Sequence, residues 1–381
     1  MPKTLIGAYG PWAAKIAGSK PGALSLRSGR FKNVSAWRRM ARARVWECLA
    51  APNSIATPKP RVEWIGAYDG LHVEKLSWQL PYGPRTEAVF LKPAHAPRGA
   101  RLPALLGLHD HGGKKFFGWR KIAQVDARIH PLIKAHRDDD YGGLAWANEA
   151  ARKGYAVLVH DTFPFASRRV LIADVPQGIA GEAQDPAPDE PADEVDAYNR
   201  WAGQHEHLMA KSLFCAGTTW PGVYLREDQA ALSVLCARPD VDLGRVACGG
   251  LSGGGMRTVY LAGLDERIRC CFCAGFFTTW RDFLLHKSWT HTWMTYVPLL
   301  PRDLDFPEIL GLRAPKPTLV LNCTEDPLFT LAEVRRAGEI LAQVYRRAGA
   351  PKAFRLSLYP GGHKLDAPMQ AEMFAWLEHW M

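Results

Sequence analysis

The stretch Arg245-Val-Ala-Cys-Gly-Gly-Leu-Ser-Gly-Gly-Gly-Met256 limits the folds open to this chain more than any other segment. An apolar run leads into it, and a helical run, Met256–Ala262, leaves it. A strand that turns into a helix through glycines needs a close backbone approach that side chains would block. Such joints suit parallel sheets with helices packed on their faces. From Pro103 the chain keeps this rhythm. Apolar runs at Ala104–Leu108, Tyr155–His160, Arg245–Leu251, Ile268–Phe277, Pro317–Asn322 and Phe354–Tyr359 read as strands. Helical stretches at Leu144–Lys153, Arg226–Ala237, Leu331–Ala348 and Ala367–Trp380 lie between or after them. The pattern predicts an α/β fold with a mostly parallel central sheet covered by helices on both faces. Arg61–Tyr68, Leu71–Leu80 and Thr86–Leu91, separated by Asp69-Gly70 and Tyr82-Gly83-Pro84, predict antiparallel strands along one edge.

Charge divides the chain. Residues 1–62 carry twelve Lys/Arg against one acid, Glu47, so the basic balance of +10 belongs to the N-terminal part. We expect a basic extension over 1–60, with a helix over 35–50 capped by Ser35, and a catalytic domain over 61–381. The extension suits a solvated face or a contact between copies of the chain, so a homo-oligomer is expected there and nucleic acid is not. Two insertions break the strand–helix rhythm. Residues 175–200, with Asp185-Pro-Ala-Pro-Asp-Glu-Pro-Ala-Asp-Glu-Val-Asp196, read as an acidic solvated loop. Residues 276–311, rich in aromatics, read as an excursion over the carboxyl edge of the sheet, where ligands bind in open α/β sheets.

The sequence has no run of 18 apolar residues and no signal-peptide pattern at its start, so a cytoplasmic protein without membrane contact is expected. Eight cysteines are scattered. Cys271 and Cys273 fall on one face of the predicted strand Ile268–Phe277 and Cys270 on the other, which suits buried free thiols and not a metal site.

The chemistry centres on Gly250-Leu251-Ser252-Gly253-Gly254, a G-x-S-x-G motif between strand and helix. A serine hydroxyl needs a base to become a nucleophile, and the base needs an acid to orient it. In this strand–turn–helix context the acid and then the histidine follow the serine in the chain. Asp326, in Glu325-Asp-Pro just past a predicted strand, is the expected acid, with Glu325 as the alternate. His363, on the loop Tyr359-Pro-Gly-Gly-His363 after the last strand, is the expected base. The Gly253 amide and that of His111 or Gly112, in Leu108-His-Asp-His-Gly-Gly113, are the expected oxyanion donors. Trp280, Trp289, Trp293 and Tyr296 are candidates to stack on a sugar or aromatic ring of the substrate. Asp161, Arg168 and Arg169 either shape the site or form structural ion pairs. His109, Asp110 and His111 read poorly as metal ligands because no further convergent set accompanies them, and His286 and His291 are five residues apart, off one helical face. No metal or organic cofactor is expected.

Several segments together carry a family resemblance. Leu108-His-Asp-His-Gly-Gly113, Arg238-Pro-Asp-Val-Asp-Leu-Gly-Arg-Val246 leading into Gly250-Leu-Ser-Gly-Gly-Gly255, Leu264-Asp-Glu-Arg-Ile268, Glu325-Asp-Pro-Leu-Phe329 and Gly361-Gly-His363 resemble α/β-hydrolases of the dienelactone-hydrolase-like, acetyl-xylan-esterase-like group. The resemblance covers roughly residues 100–381. It implies Ser252 as nucleophile, Asp326 as acid, His363 as base, and a carboxylic ester, acetyl or other short acyl on a sugar or small molecule, as substrate. Where such proteins often show His-Gly-His-Gly-Gly, this chain has Asp110. A carboxylate there would oppose a developing oxyanion unless it points away or is paired. A peptidase or an acyltransferase would carry the same motifs; a non-catalytic hydrolase-like binding protein is the further alternative, which the complete Ser/Asp/His set argues against.

Overall fold

The computed structural model describes residues 4–18, 21–97 and 99–381; Lys3 and Lys20 of the basic segment lie outside them. Nine strands form one sheet: β1 (Arg61–Tyr68), β2 (Leu71–Trp78), β3 (Thr86–Pro93), β4 (Leu102–Gly107), β5 (Ala156–His160), β6 (Val241–Leu251), β7 (Cys270–Ala274), β8 (Thr318–Cys323) and β9 (Phe354–Tyr359). Their order is β1-β2-β3-β5-β4-β6-β7-β8-β9. The pairs β1/β2, β2/β3 and β3/β5 are antiparallel and the remaining pairs parallel. β4 to β8 are apolar runs buried on both faces, which is the reason their sequences do not alternate.

Each face of the sheet carries a core. On one, Leu106, Cys248, Cys271, Cys273 and Val320 meet Tyr260 and Leu341 from flanking helices; on the other, Leu105, Cys270, Phe272 and Leu321 meet Trp146, Met369 and Leu377. The cysteines of β7 thus divide between faces as strand alternation requires. β7 is shorter than its apolar run, because the chain leaves it through Gly275 at φ +56°.

The N-terminal helix runs Val34–Leu49, capped by Asn33, whose side chain accepts from Ala36 N–H at 2.8 Å; Ser35 lies inside the helix. Its apolar stripe, Trp37, Ala41, Val45 and Leu49, is fully buried in the same core as β4 and β6. Trp37 Nε1 also donates to Leu24 O at 2.8 Å. Its basic residues meet partners on the body: Arg42 reaches Glu266 at 2.5 Å and Arg44 reaches Asp303 at 2.6 Å.

The acidic segment is not a loop throughout. A 24-residue helix, Ala192–Cys215, begins within it, and only the short helix Gln177–Ala180 and turns precede it. Asp193 and Glu194 occupy its first turn, where the positive helix end favours carboxylates, so the acidic composition marks a helix start. The aromatic insertion holds the short helices Trp280–Leu285 and Phe306–Gly311. No described helix is long and apolar enough to cross a membrane.

Because Trp37 fills a fully buried position in the main core, Trp37→Ala is expected to cost about 3–5 kcal/mol of unfolding free energy. A urea titration of the full chain checks this; an unshifted midpoint contradicts it.

Candidate functional site

Ser252 stands on the turn between β6 and the helix Gly253–Leu264, with φ 57° and ψ −119°. A non-glycine residue there is strained, and the surrounding backbone holds it. Ser252 N–H donates to Ala274 O at 2.9 Å, which ties the turn to the end of β7. A Cβ added to Gly250 or Gly254 would lie 2.0 Å from Leu108 O, so both glycines are required for the turn to sit against the end of β4. A Cβ on Gly253 would lie 2.9 Å from His111 N, so Gly253 packs directly against the His111 amide. Neither N–H has a protein acceptor among the described residues. Gly112, at φ +52°, faces Asp110 and His136 instead.

His363 Nδ1 and Asp326 Oδ2 are 2.7 Å apart. Asp326 is buried, while Glu325 is exposed. The imidazole lies over the end of β7: a Cβ on Gly275 would be 2.9 Å from His363 Cε1. His363 Nε2 is buried without a hydrogen-bond partner, and no hydrogen bond joins it to the Ser252 hydroxyl. Burial alone would lower the His363 pKa, but the Asp326 hydrogen bond and charge, with Asp140 and Asp110 further off, raise it above 6.5.

Asp110 is buried and paired. Its carboxylate accepts from Tyr141 Oη at 2.5 Å and pairs with His136 Nε2 at 3.1 Å. Burial works against this charge, but His136 and Lys121 outweigh it and hold the carboxyl well below its usual range. His136 binds Asp140 through its other nitrogen at 3.0 Å. Burial opposes its charge, yet Asp110 and Asp140 raise it to about 9. Asp110, His136 and Asp140 bring donor atoms within 4.8 Å of one another. With one imidazole nitrogen committed to each carboxylate, the trio is an ion-pair relay and not a ligand set turned toward a cation.

Two buried cations hold the loop that bears the His111 amide. Lys121 Nζ donates to Asp110 O and to His111 O, each at 2.8 Å, and Arg257 Nη1 donates to His109 O at 3.3 Å. Three consecutive carbonyls are thereby fixed. The Asp110 carbonyl belongs to the same peptide group as the His111 N–H, so a cation on its oxygen polarises that donor. Burial lowers the Lys121 pKa to about 8, against the pull of Asp110. Gly113 N–H donates to His111 Nδ1 at 3.0 Å, and His111 Nε2 lies 2.8 Å from Glu206 Oε1 and 2.7 Å from Lys115 Nζ. Burial and then Lys115 push His111 down to about 4, so its ring is neutral at pH 7. Glu206 comes from the helix Ala192–Cys215, a contribution that nothing in its local sequence signals.

The four aromatic candidates separate. Trp280 is buried against Phe283 and Phe306, while Trp289 is 72% and Trp293 42% exposed. Tyr296 Oη donates to Ser288 O at 3.1 Å. Trp280 and Tyr296 line a cavity of about 880 Å³ beside the helix Gly10–Ala17, of which Ser252 and His363 are not part. Arg168 makes a buried ion pair with Glu227 at 2.6 Å, and Arg169 stacks over Phe116. Asp161 accepts from Trp119 N–H at 2.8 Å and Ser167 Oγ at 2.8 Å, and burial raises it to about 7. His291 lies among Phe276, Phe283 and Phe329 with Nε2 3.0 Å from Leu328 O.

No protein-family profile matches the chain. In sequence it is 26% identical over 314 residues, 81% of this chain and 88% of the relative, to YtaP of Bacillus subtilis (strain 168), provisionally named a hydrolase. In structure it is similar to a protein of Bacteroides fragilis NCTC 9343 provisionally designated an acetyl xylan esterase (TM-score 0.68, 16% identity, 93% of this chain and 83% of that one). It is also similar to a glucuronoyl esterase from Solibacter usitatus (TM-score 0.61, 15% identity, 94% and 97%). The fold is that of the α/β-hydrolases.

Because Gly254 has no room for a methyl group, Gly254→Ala is expected to lower the melting temperature by several degrees. Gly178→Ala, with nothing within 4 Å, is the control. Equal melting curves for the two variants contradict the close approach.

Proposed function

We propose that the chain is a serine hydrolase that cleaves a carboxylic ester, an acetyl or other short-acyl group on a sugar or small molecule, through an acyl-enzyme. The observation that carries this reading is the His363–Asp326 pair at 2.7 Å, its far nitrogen unpartnered, beside the end of β7 to which the strained turn bearing Ser252 is hydrogen-bonded. Similarity to proteins named as hydrolase and esterases supports it.

In this reading Asp326 holds His363 with its Nδ1 proton inward, leaving Nε2 as the base. The reading requires Ser252 Oγ to meet Nε2 in the substrate complex, as catalytic hydrogen bonds often form only there. Ser252 Oγ loses its proton to His363 and attacks the carbonyl carbon. The oxyanion accepts from the Gly253 and His111 amides. The intermediate collapses, His363 protonates the departing alcohol, and water, deprotonated by His363, releases the acid. Asp110, its charge balanced by His136 and Lys121 and hydrogen-bonded by Tyr141, does not oppose the oxyanion.

Hydrolysis of a panel of aryl and sugar esters of increasing acyl length tests the reading, with Ser252→Ala as the blank. Activity that survives this change overturns it. Running the panel with amine, alcohol and peptide acceptors separates hydrolysis from acyl transfer and peptide cleavage.

Because the base must be neutral, kcat/KM is expected to fall as pH drops through the raised His363 pKa, with a midpoint above 6.5. Asp326→Asn removes the group that stabilises the imidazolium, so the midpoint moves down while the rate falls by about 10⁴. Glu325→Gln leaves both nearly unchanged.

Lys121 acts through the His111 amide as a positioning residue. Lys121→Met is expected to lower kcat about 10- to 100-fold, short of the loss for a whole oxyanion donor, with KM within twofold. Its affinity for a boronic acid that mimics the tetrahedral state should fall by the same factor. Unchanged boronate affinity in a folded variant contradicts this role.

A further inference from the structure

We propose that the crevice at the amino ends of β7 and β8 is an anion site that takes a phosphate group, free or as the terminal group of a small phosphate ester. This cavity of about 280 Å³ is lined by Arg38 and Arg42 from the helix Val34–Leu49, Arg269 just before β7, and Arg313 and Lys316 just before β8. Glu266 is the one acid in that lining, and Arg42 Nη1 reaches it at 2.5 Å. Five cations therefore face one carboxylate.

Backbone carbonyls fix most of these cations without neutralising them. Arg38 donates to Ala314 O, Arg42 to Gly263 O at 3.3 Å, Lys316 to Glu266 O at 2.7 Å, and Arg313 to Lys316 O at 2.8 Å. The buried Nε–H groups of Arg38, Arg42 and Arg313 have no acceptor among the described residues, and the exposed Arg269 side chain has no hydrogen bond among them. Arg313 is only 2% exposed and its two Nη groups are held by Ile268 O, Arg269 O, Lys316 O, Pro317 O and Thr318 Oγ1, so it acts on the crevice through its charge.

The charges also strain one another. Burial, then Arg313 and Arg269, lower Lys316 to about 8, and burial followed by Arg42 lowers Arg38. Arg38 and Arg42 lie one turn apart on their helix, a like-charge spacing that destabilises it. A bound dianion relieves both effects. Guanidinium forks match phosphate oxygens in geometry, and the small volume suits one phosphate with a few further atoms, not a polymer backbone. The crevice is independent of the ester reading, since it sits at the opposite end of the sheet from Ser252, one strand length or about 17 Å away.

Isothermal titration of the full chain with inorganic phosphate, and separately with a hexose 6-phosphate, tests this at an ionic strength fixed with sodium chloride. One saturable site is expected. Arg269→Gln, an exposed side chain without a hydrogen-bond partner among the described residues, should weaken it at least fivefold, while Arg128→Gln, exposed elsewhere, should not. Tighter binding of the hexose phosphate assigns the ester as occupant, and tighter binding of inorganic phosphate assigns the free ion. Heat no greater than that of added chloride, or an equal dissociation constant in wild type and Arg269→Gln, overturns the proposal.

Discussion

The contact between the Leu108 carbonyl and the bare backbones of Gly250 and Gly254 sets the geometry of everything above the sheet. A Cβ at either glycine would stand 2.0 Å from that oxygen, so the turn after β6 nests against the end of β4 only because both side chains are absent. That nesting puts Gly253 beside the His111 amide. It also puts Ser252 in a conformation that an unconstrained serine avoids. The rest of the candidate site consists of loops carried to this point by β8 and β9.

Charge is arranged around the same point with unusual density. Asp110, Lys121, His136, Arg257, Asp228 and Glu206 are all buried, which is tolerable because each has charged or hydrogen-bonding partners. Lys121 lies nearer to two carbonyls, at 2.8 Å, than to the Asp110 carboxylate, at 3.6 Å. Its charge therefore orders the loop as well as balancing Asp110. Such networks are costly to break one partner at a time.

Much of the fold was legible in the sequence because its signals are local. Apolar runs of strand length placed the strands from β4 to β9 within a few residues, and the glycines around Ser252 marked the turn. The loops that bear Asp326 and His363 were legible because each follows a strand end. What was missed depends on distant partners. Asp193 and Glu194 resemble a solvated loop in composition, and only the helix they start explains them. Arg42 looks unpaired in sequence because Glu266 lies more than two hundred residues away, and Arg44, with Glu47 three residues on, gives no sign of its second partner Asp303. Asp110 looked hostile to an oxyanion because His136, Tyr141 and Lys121 become its neighbours only after folding. The tryptophans of the insertion carry no mark that separates the buried Trp280 from the exposed Trp289.

The central claim is that the hydroxyl at position 252 is activated by the imidazole at 363. Peptide-mapped mass spectrometry after exposure to a fluorophosphonate tests it most directly. The account predicts one adduct, on the peptide bearing Ser252, that forms rapidly in wild type and slows by orders of magnitude in His363→Ala. An adduct on another residue, or labelling of Ser252 at the same rate without the imidazole, contradicts it.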